Sequence, residues 1–193
     1  MKRGFTLVET LGAVLLLSIA LVGPMTVAEK GLQVALIAKD QNSAFNLAQD
    51  AVEYIRFARD TNCLVASNAN LTPCPAANWL SGGGLANTVD LTPCVTVTGT
   101  NACAIDSVAS TVTTCSAAVC STPVYYDTVN NYFTSVSGVN TVPTIFTRSV
   151  LIKYNPSCSG TCNPAEASTT VTVSWNDPVA HSITVNETLY DWQ

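Results

Sequence analysis

From Thr10 to Ala28 the chain carries nineteen residues without a charge, most of them apolar. As a helix rising 1.5 Å per residue, this run is long enough to cross a hydrocarbon layer of roughly 30 Å. Lys2 and Arg3 precede it and mark the cytoplasmic side by the positive-inside bias. One residue breaks the pattern. Glu9 stands at the mouth of the apolar run, and a carboxylate in a membrane helix costs on the order of 2.5–3.5 kcal/mol at the bilayer centre. A positive charge would compensate it, and the apolar stretch contains none. If the chain were cut after Gly4, the new amine on Phe5 would lie one helical turn from Glu9. It could then pair with Glu9 of the same chain or of a neighbour.

Two plainer readings compete. A secretory signal peptide would be cut after Thr26-Val27-Ala28, although the apolar run is longer than the usual 7–15 residues and follows Glu9. A simple signal-anchor helix would tolerate Glu9 near the interface. The whole motif favours a third. Gly4-Phe5-Thr6-Leu7-Val8-Glu9, after a basic leader, resembles the processing motif of type IV pilins and pseudopilins. The resemblance covers the N-terminal helix, about a quarter of the chain, and the leader of four residues is short for the family. It implies cleavage by a prepilin peptidase between Gly4 and Phe5, N-methylation of Phe5, and a role for Glu9 in guiding the subunit into a filament. It further implies other pilin subunits and an inner-membrane assembly platform as partners, and an extracytoplasmic head. Ala48-Gln49-Asp50-Ala51 is similar to a segment late in the helix of minor pilins and type II secretion minor pseudopilins.

Without the leader, six basic side chains face thirteen acidic ones, and from Thr61 onward only Arg148 and Lys153 are basic. A surface tracking phosphates needs clustered Lys and Arg, so no direct nucleic-acid binding is expected. All eight cysteines (Cys63, Cys74, Cys94, Cys103, Cys115, Cys120, Cys158 and Cys162) lie beyond the helix. An even count downstream of an export signal reads as a disulfide framework. Zinc is the rival, but there is no Cys-x-x-Cys pair and His181 is the only histidine, so no metal or other cofactor is expected. Eight cysteines allow 105 pairings. Near neighbours are the simplest guess: Cys158–Cys162, Cys115–Cys120, Cys63–Cys74 and Cys94–Cys103.

The expected architecture is α+β: a long helix on an antiparallel sheet. Residues 5–28 form the membrane or filament-core half of the helix and residues 29–62 its amphipathic half, with a kink or melted turn at Gly23-Pro24. In the second half Phe45, Ala48, Val52 and Ile55 recur at helical spacing, extended by Leu32, Leu36 and Ala51, and predict a face packed on the sheet. Ala35, Ala38, Ala44 and Ala58 add small residues for close helix packing in a filament. Polar residues at Arg59-Asp60-Thr61-Asn62 predict the helix end. Residues 63–123 read as a disulfide-rich variable region with β-type runs at 94–98 and 108–114. From residue 124 a meander is expected. Its strands fall at 124–127 and 132–136 about Asn130-Asn131, then 145–154, 169–175 and 181–189. Val171, Val173 and Trp175 share one face.

The motifs of catalysis are missing. Gly82-Gly83-Gly84 lacks a following Lys-Ser/Thr and is a turn, not a phosphate loop. His181 with Asp127 or Asp177 lacks a nucleophile-elbow sequence and reads as a solvated strand-end residue. Asn70-Leu71-Thr72 and Asn186-Glu187-Thr188 fit a glycosylation sequon, a pattern common by chance. Trp79, Trp175 and Trp192 are expected in packing rather than on a sugar-binding surface. No enzyme is expected. The reading is a filament subunit, with a membrane-anchored surface binding protein or adhesin as the alternative.

Overall fold

The computed structural model describes residues 6–68, 76–96, 102–155, 166–177 and 179–190. The chain divides into two units, Met1–Ser43 and Ala44–Gln193, and helix α1 (Leu7–Asn68) belongs to both. In the first unit the described residues are helix alone, and its apolar side chains are bare: Leu11, Leu15 and Ile19 are each more than half exposed. Gly23 and Pro24 lie inside α1, whose helical run continues on both sides of the ring.

In the second unit α1 packs on a sheet, the arrangement of an α+β fold. The buried face is set by Ala44, Leu47, Ala48, Ala51, Ile55 and Ala58, spaced by three and four. Small residues on the helix meet large ones on the sheet: Phe146, Ile152, Val171 and Trp175 fill the space that the alanines leave. Of the expected stripe, Ala48, Ala51, Val52 and Ile55 are buried as their spacing predicts, and Phe45, Leu32 and Leu36 are not. Ala44 and Ala58 are fully buried against the head, which takes them out of any packing between helices. Phe45 lies one position off that face and is 44% exposed, and Leu32 and Leu36, in the N-terminal unit, are exposed too.

The helix also runs six residues past its expected end at Asn62, so Cys63, expected beyond the helix, lies within it. Polar residues there do not stop it, because Asn62 is buried and used. Its side-chain amide donates to the Trp79 and Val89 carbonyls (2.8 and 2.7 Å) and accepts the Val89 N–H (2.8 Å). Short helix α2 (Ala76–Ser81) and the turns up to Cys94 are thereby pinned to α1. Gly82, Gly83 and Gly84 follow α2, all with φ between 60° and 70°, where a side chain is strained.

The strands are β1 (Val95–Thr96), β2 (Cys103–Asp106), β3 (Thr111–Thr114), β4 (Pro123–Asp127), β5 (Tyr132–Thr134), β6 (Thr141–Asn155), β7 (Glu166–Asn176) and β8 (Ala180–Tyr190). They do not form the simple meander expected. Strand β6, fifteen residues long, is the hub. One edge pairs with β4 near its start and with β2 and β1 near its end, and the other pairs with β7. The β6–β7–β8 part is antiparallel throughout, while β1 pairs with β6 in parallel. Region 63–123 therefore supplies three strands of the sheet, and Val108–Ser110 lies in a turn rather than a strand. The alternation expected for Val171, Val173 and Trp175 is present, with all three buried.

Two hairpins repeat one turn. In β2–β3 the Asp106 Oδ1 accepts the N–H groups of Val108 and Ala109 (3.0 and 2.8 Å), and Ser110 turns the chain back at φ 53°. In β4–β5 Asp127 does the same for Val129 and Asn130 (2.9 and 2.8 Å), with Asn131 at φ 58°. Asp-x-Val-x-Ser/Asn is the shared pattern.

Candidate functional site

The first turn of α1 holds the candidate assembly residue. Thr6 caps it: its carbonyl accepts the N–H groups of Glu9 and Thr10 (3.0 and 3.2 Å), and its hydroxyl lies 3.4 Å from the Glu9 nitrogen. Glu9 is exposed, and its carboxylate sits where the helix macrodipole is positive. Among the described residues no cation pairs with it. Gly4 and Phe5, where processing is expected, lie outside the described residues.

Beyond Glu9 the helix satisfies its own hydroxyls. Thr10 donates to the Leu7 carbonyl (2.9 Å), Ser18 to Val14 (2.8 Å) and Thr26 to Gly23 (2.8 Å). A lipid-facing surface needs this, since hydrocarbon offers no partner to a free donor. Thr6 to Ala28 is therefore an apolar rod whose sole charge is Glu9, and α1 is long and apolar enough to cross a membrane.

In the head, Cys94 is bridged to Cys103 and Cys115 to Cys120. Cys63 is also disulfide-bonded, to a partner outside the described residues, where Cys74, Cys158 and Cys162 all lie. Among the described residues no three His, Cys, Asp or Glu side chains converge as metal ligands. His181 stacks on the ring of Trp175, centroids 5.3 Å apart, and the Asp127 carboxylate serves its own turn. Trp79 and Trp175 are buried in the core, while Asn70, Thr72 and Trp192 lie outside the described residues.

No family model, curated protein or solved structure matches this chain.

The polar residues that organise the head are ones the sequence reading passed over. Arg148, on β6, is buried beneath α1. Its guanidinium donates to the Leu47 carbonyl (2.9 Å), to the Asp50 carboxylate (2.6 Å) and to the Ile105 carbonyl (2.5 Å). Asp50 also accepts the Ser107 hydroxyl at 2.8 Å. One arginine thus ties the helix, the central strand and the first hairpin together. Asp50 belongs to the Ala48–Ala51 segment noted above, and here it serves the head's own packing. A signal was available: Phe146, Arg148, Val150 and Ile152 alternate, which puts the arginine on the core face.

Asp106 is a second such residue. Burial pushes its carboxyl pKa up, but hydrogen bonds from the Ala109 N–H, the Thr134 hydroxyl, and the Ser135 and Val108 N–H groups outweigh this and hold it below the usual range. Asp127 is also lowered, first by the Asn130 N–H.

Proposed function

We propose that the chain is a type IV pilin-like subunit that is cut between Gly4 and Phe5 and assembles into a filament through α1. The observation that carries this reading is the bare apolar rod with one carboxylate in its first turn. A lone anchor has no use for Glu9, because removing the charge would only ease insertion. A subunit that docks against others does have a use for it: Glu9 neutralises the Phe5 amine as two helices meet, which sets their axial register. Apolar burial along the rod then holds the helices together. A head with eight cysteines suits a minor subunit better than a bulk one. Before assembly the subunit is a single-pass membrane protein with its head outside the cytoplasm, recognised by a prepilin peptidase and an assembly platform.

Two measurements test this. Mass spectrometry of envelope material should find a mature N-terminus at Phe5. A start at Glu29 would mean a secretory signal peptide instead. The second is Glu9→Leu. Stranding one partner of a buried ion pair costs about 3–5 kcal/mol, so processing and insertion should persist while the ratio of subunit in sheared filaments to that in membranes falls sharply. An unchanged ratio would remove Glu9 from the mechanism. No wild-type subunit in the sheared fraction would favour a membrane-anchored adhesin.

A further inference from the structure

The sheet ends unevenly. On one side its outer strands β3 and β5 have only four and three residues. On the other side the outer strand is β8, eleven residues in unbroken register with β7. Among the described residues, β8 pairs with nothing on its far side. Proteins usually blunt such an edge with proline, lysine, a bulge or shortness. β8 has no proline, lysine or bulge and is not short; its one carboxylate, Glu187, is turned to α1 and paired with Arg56. The strand's outward row of N–H and C=O groups, left to water, is a template on which another extended backbone can pair.

The flank of this edge is shaped for side chains. Ser182, Thr184, Asn186 and Thr188 are exposed on one face of β8, while Ile183 and Val185 lie at the margin of the core on the other. Between β8 and α1 runs a cleft of about 250 Å³, with Phe45, Val52 and Val185 as its apolar lining. At one end Arg56 binds both Glu187 and Glu53, at 2.6 Å each. Two carboxylates share one guanidinium there, leaving a net negative charge.

We propose that the free edge of β8 is a docking site for an extended segment of a partner polypeptide, which joins the sheet as a further strand. Its side chains over Ile183 and Val185 are apolar. The next on that face, opposite Glu187, is Lys or Arg. A second copy of β8 is the competing occupant. β8 itself carries no Lys or Arg, so a second copy has no such cation to set opposite Glu187. The site lies in the head and stands whether or not the chain enters a filament.

The test uses the full chain in detergent micelles. The probes are Thr-Val-Thr-Val-Thr-Lys-Thr and its reverse sequence, the same peptides with Glu for Lys, and fully N-methylated versions. One lysine peptide should bind and slow amide exchange along β8 by about tenfold, leaving β3 and β5 unchanged. The glutamate peptide should bind about fivefold more weakly, and Glu187→Lys, checked for folding by its thermal melt, should reverse that order. Equal binding of the N-methylated peptide, or binding without protection of β8, would overturn the proposal. So would β8 protection that rises with protein concentration and needs no peptide, which would mark pairing between two copies.

Discussion

Arg148 shows how much one residue decides. Its charge is buried, its partner Asp50 is half-exposed, and two backbone carbonyls depend on it as well. Asp50→Ala would leave the guanidinium with carbonyl partners only. Because water reaches Asp50, the cost is set at about 1–3 kcal/mol rather than the larger value for a fully buried pair. Arg148→Met would free both carbonyls and lose stability to a similar degree. Urea unfolding of the two single variants and the double variant should show the double losing less than the sum. Acid sensitivity has its own residues. Asp106 and Asp127 have folded pKa values below those of the unfolded chain, so their contribution is present above the unfolded value of about 3.9 and is lost as pH falls through the folded values. The melting temperature should drop steeply below about pH 4. In Asp106→Asn the drop should be shallower; an identical pH profile would show that Asp106 contributes nothing to it.

At the scale of elements, the twin hairpins share one backbone turn but fill it differently. Both turns need a residue in the left-handed region, filled by Asn131 in one and by Ser110 in the other. Asparagine tolerates that conformation better than serine. Ser110→Asn should therefore raise stability by about 0.5–1 kcal/mol, and Asn131→Ser, which also loses the hydrogen bond from the Tyr126 hydroxyl (2.8 Å), should lower it by more, read from thermal melts. Asn62 tests a longer reach. Asn62→Ala removes three hydrogen bonds and leaves the Trp79 and Val89 groups unmatched, at a cost of about 2–3 kcal/mol. Hydrogen exchange should quicken from Ala76 to Cys94 before it does so in β6 and β7. Uniform quickening would mean that this segment is not a separate unit of stability.

In the molecule as a whole, the head has one apolar core, from Ala44 on α1 to Leu189 on β8, and disulfides add to it. Threonine and serine fill much of the sheet, and bridges such as Cys94–Cys103 and Cys115–Cys120 close short loops, each worth about 2–3 kcal/mol. Reduction should lower the melting temperature of the head while the helical signal of residues 7–43 persists in detergent. Reactive thiols at Cys94, Cys103, Cys115 or Cys120 without reduction would contradict the bridges.

What the sequence determined by itself is local. The apolar run, the lone Glu9, the alternation of β7 and the Asn130-Asn131 turn are legible because a helix or strand advertises itself within ten to twenty residues through its period. The tertiary structure decided the rest. Ala48, Ala51, Val52 and Ile55 were legible as the buried helix face, but that Ala44, Leu47 and Ala58 join it and Phe45 does not depended on the sheet beneath. The central place of β6 depends on pairing with strands 47 to 57 residues away, as Cys103 with Val150 and Val95 with Ile152, and no period encodes that. The helix end at Asn68 and the seat of Arg148 were out of reach for the same reason. Asn62 and Arg148 read as polar residues, and only partners brought close by the fold turn them into buried ones.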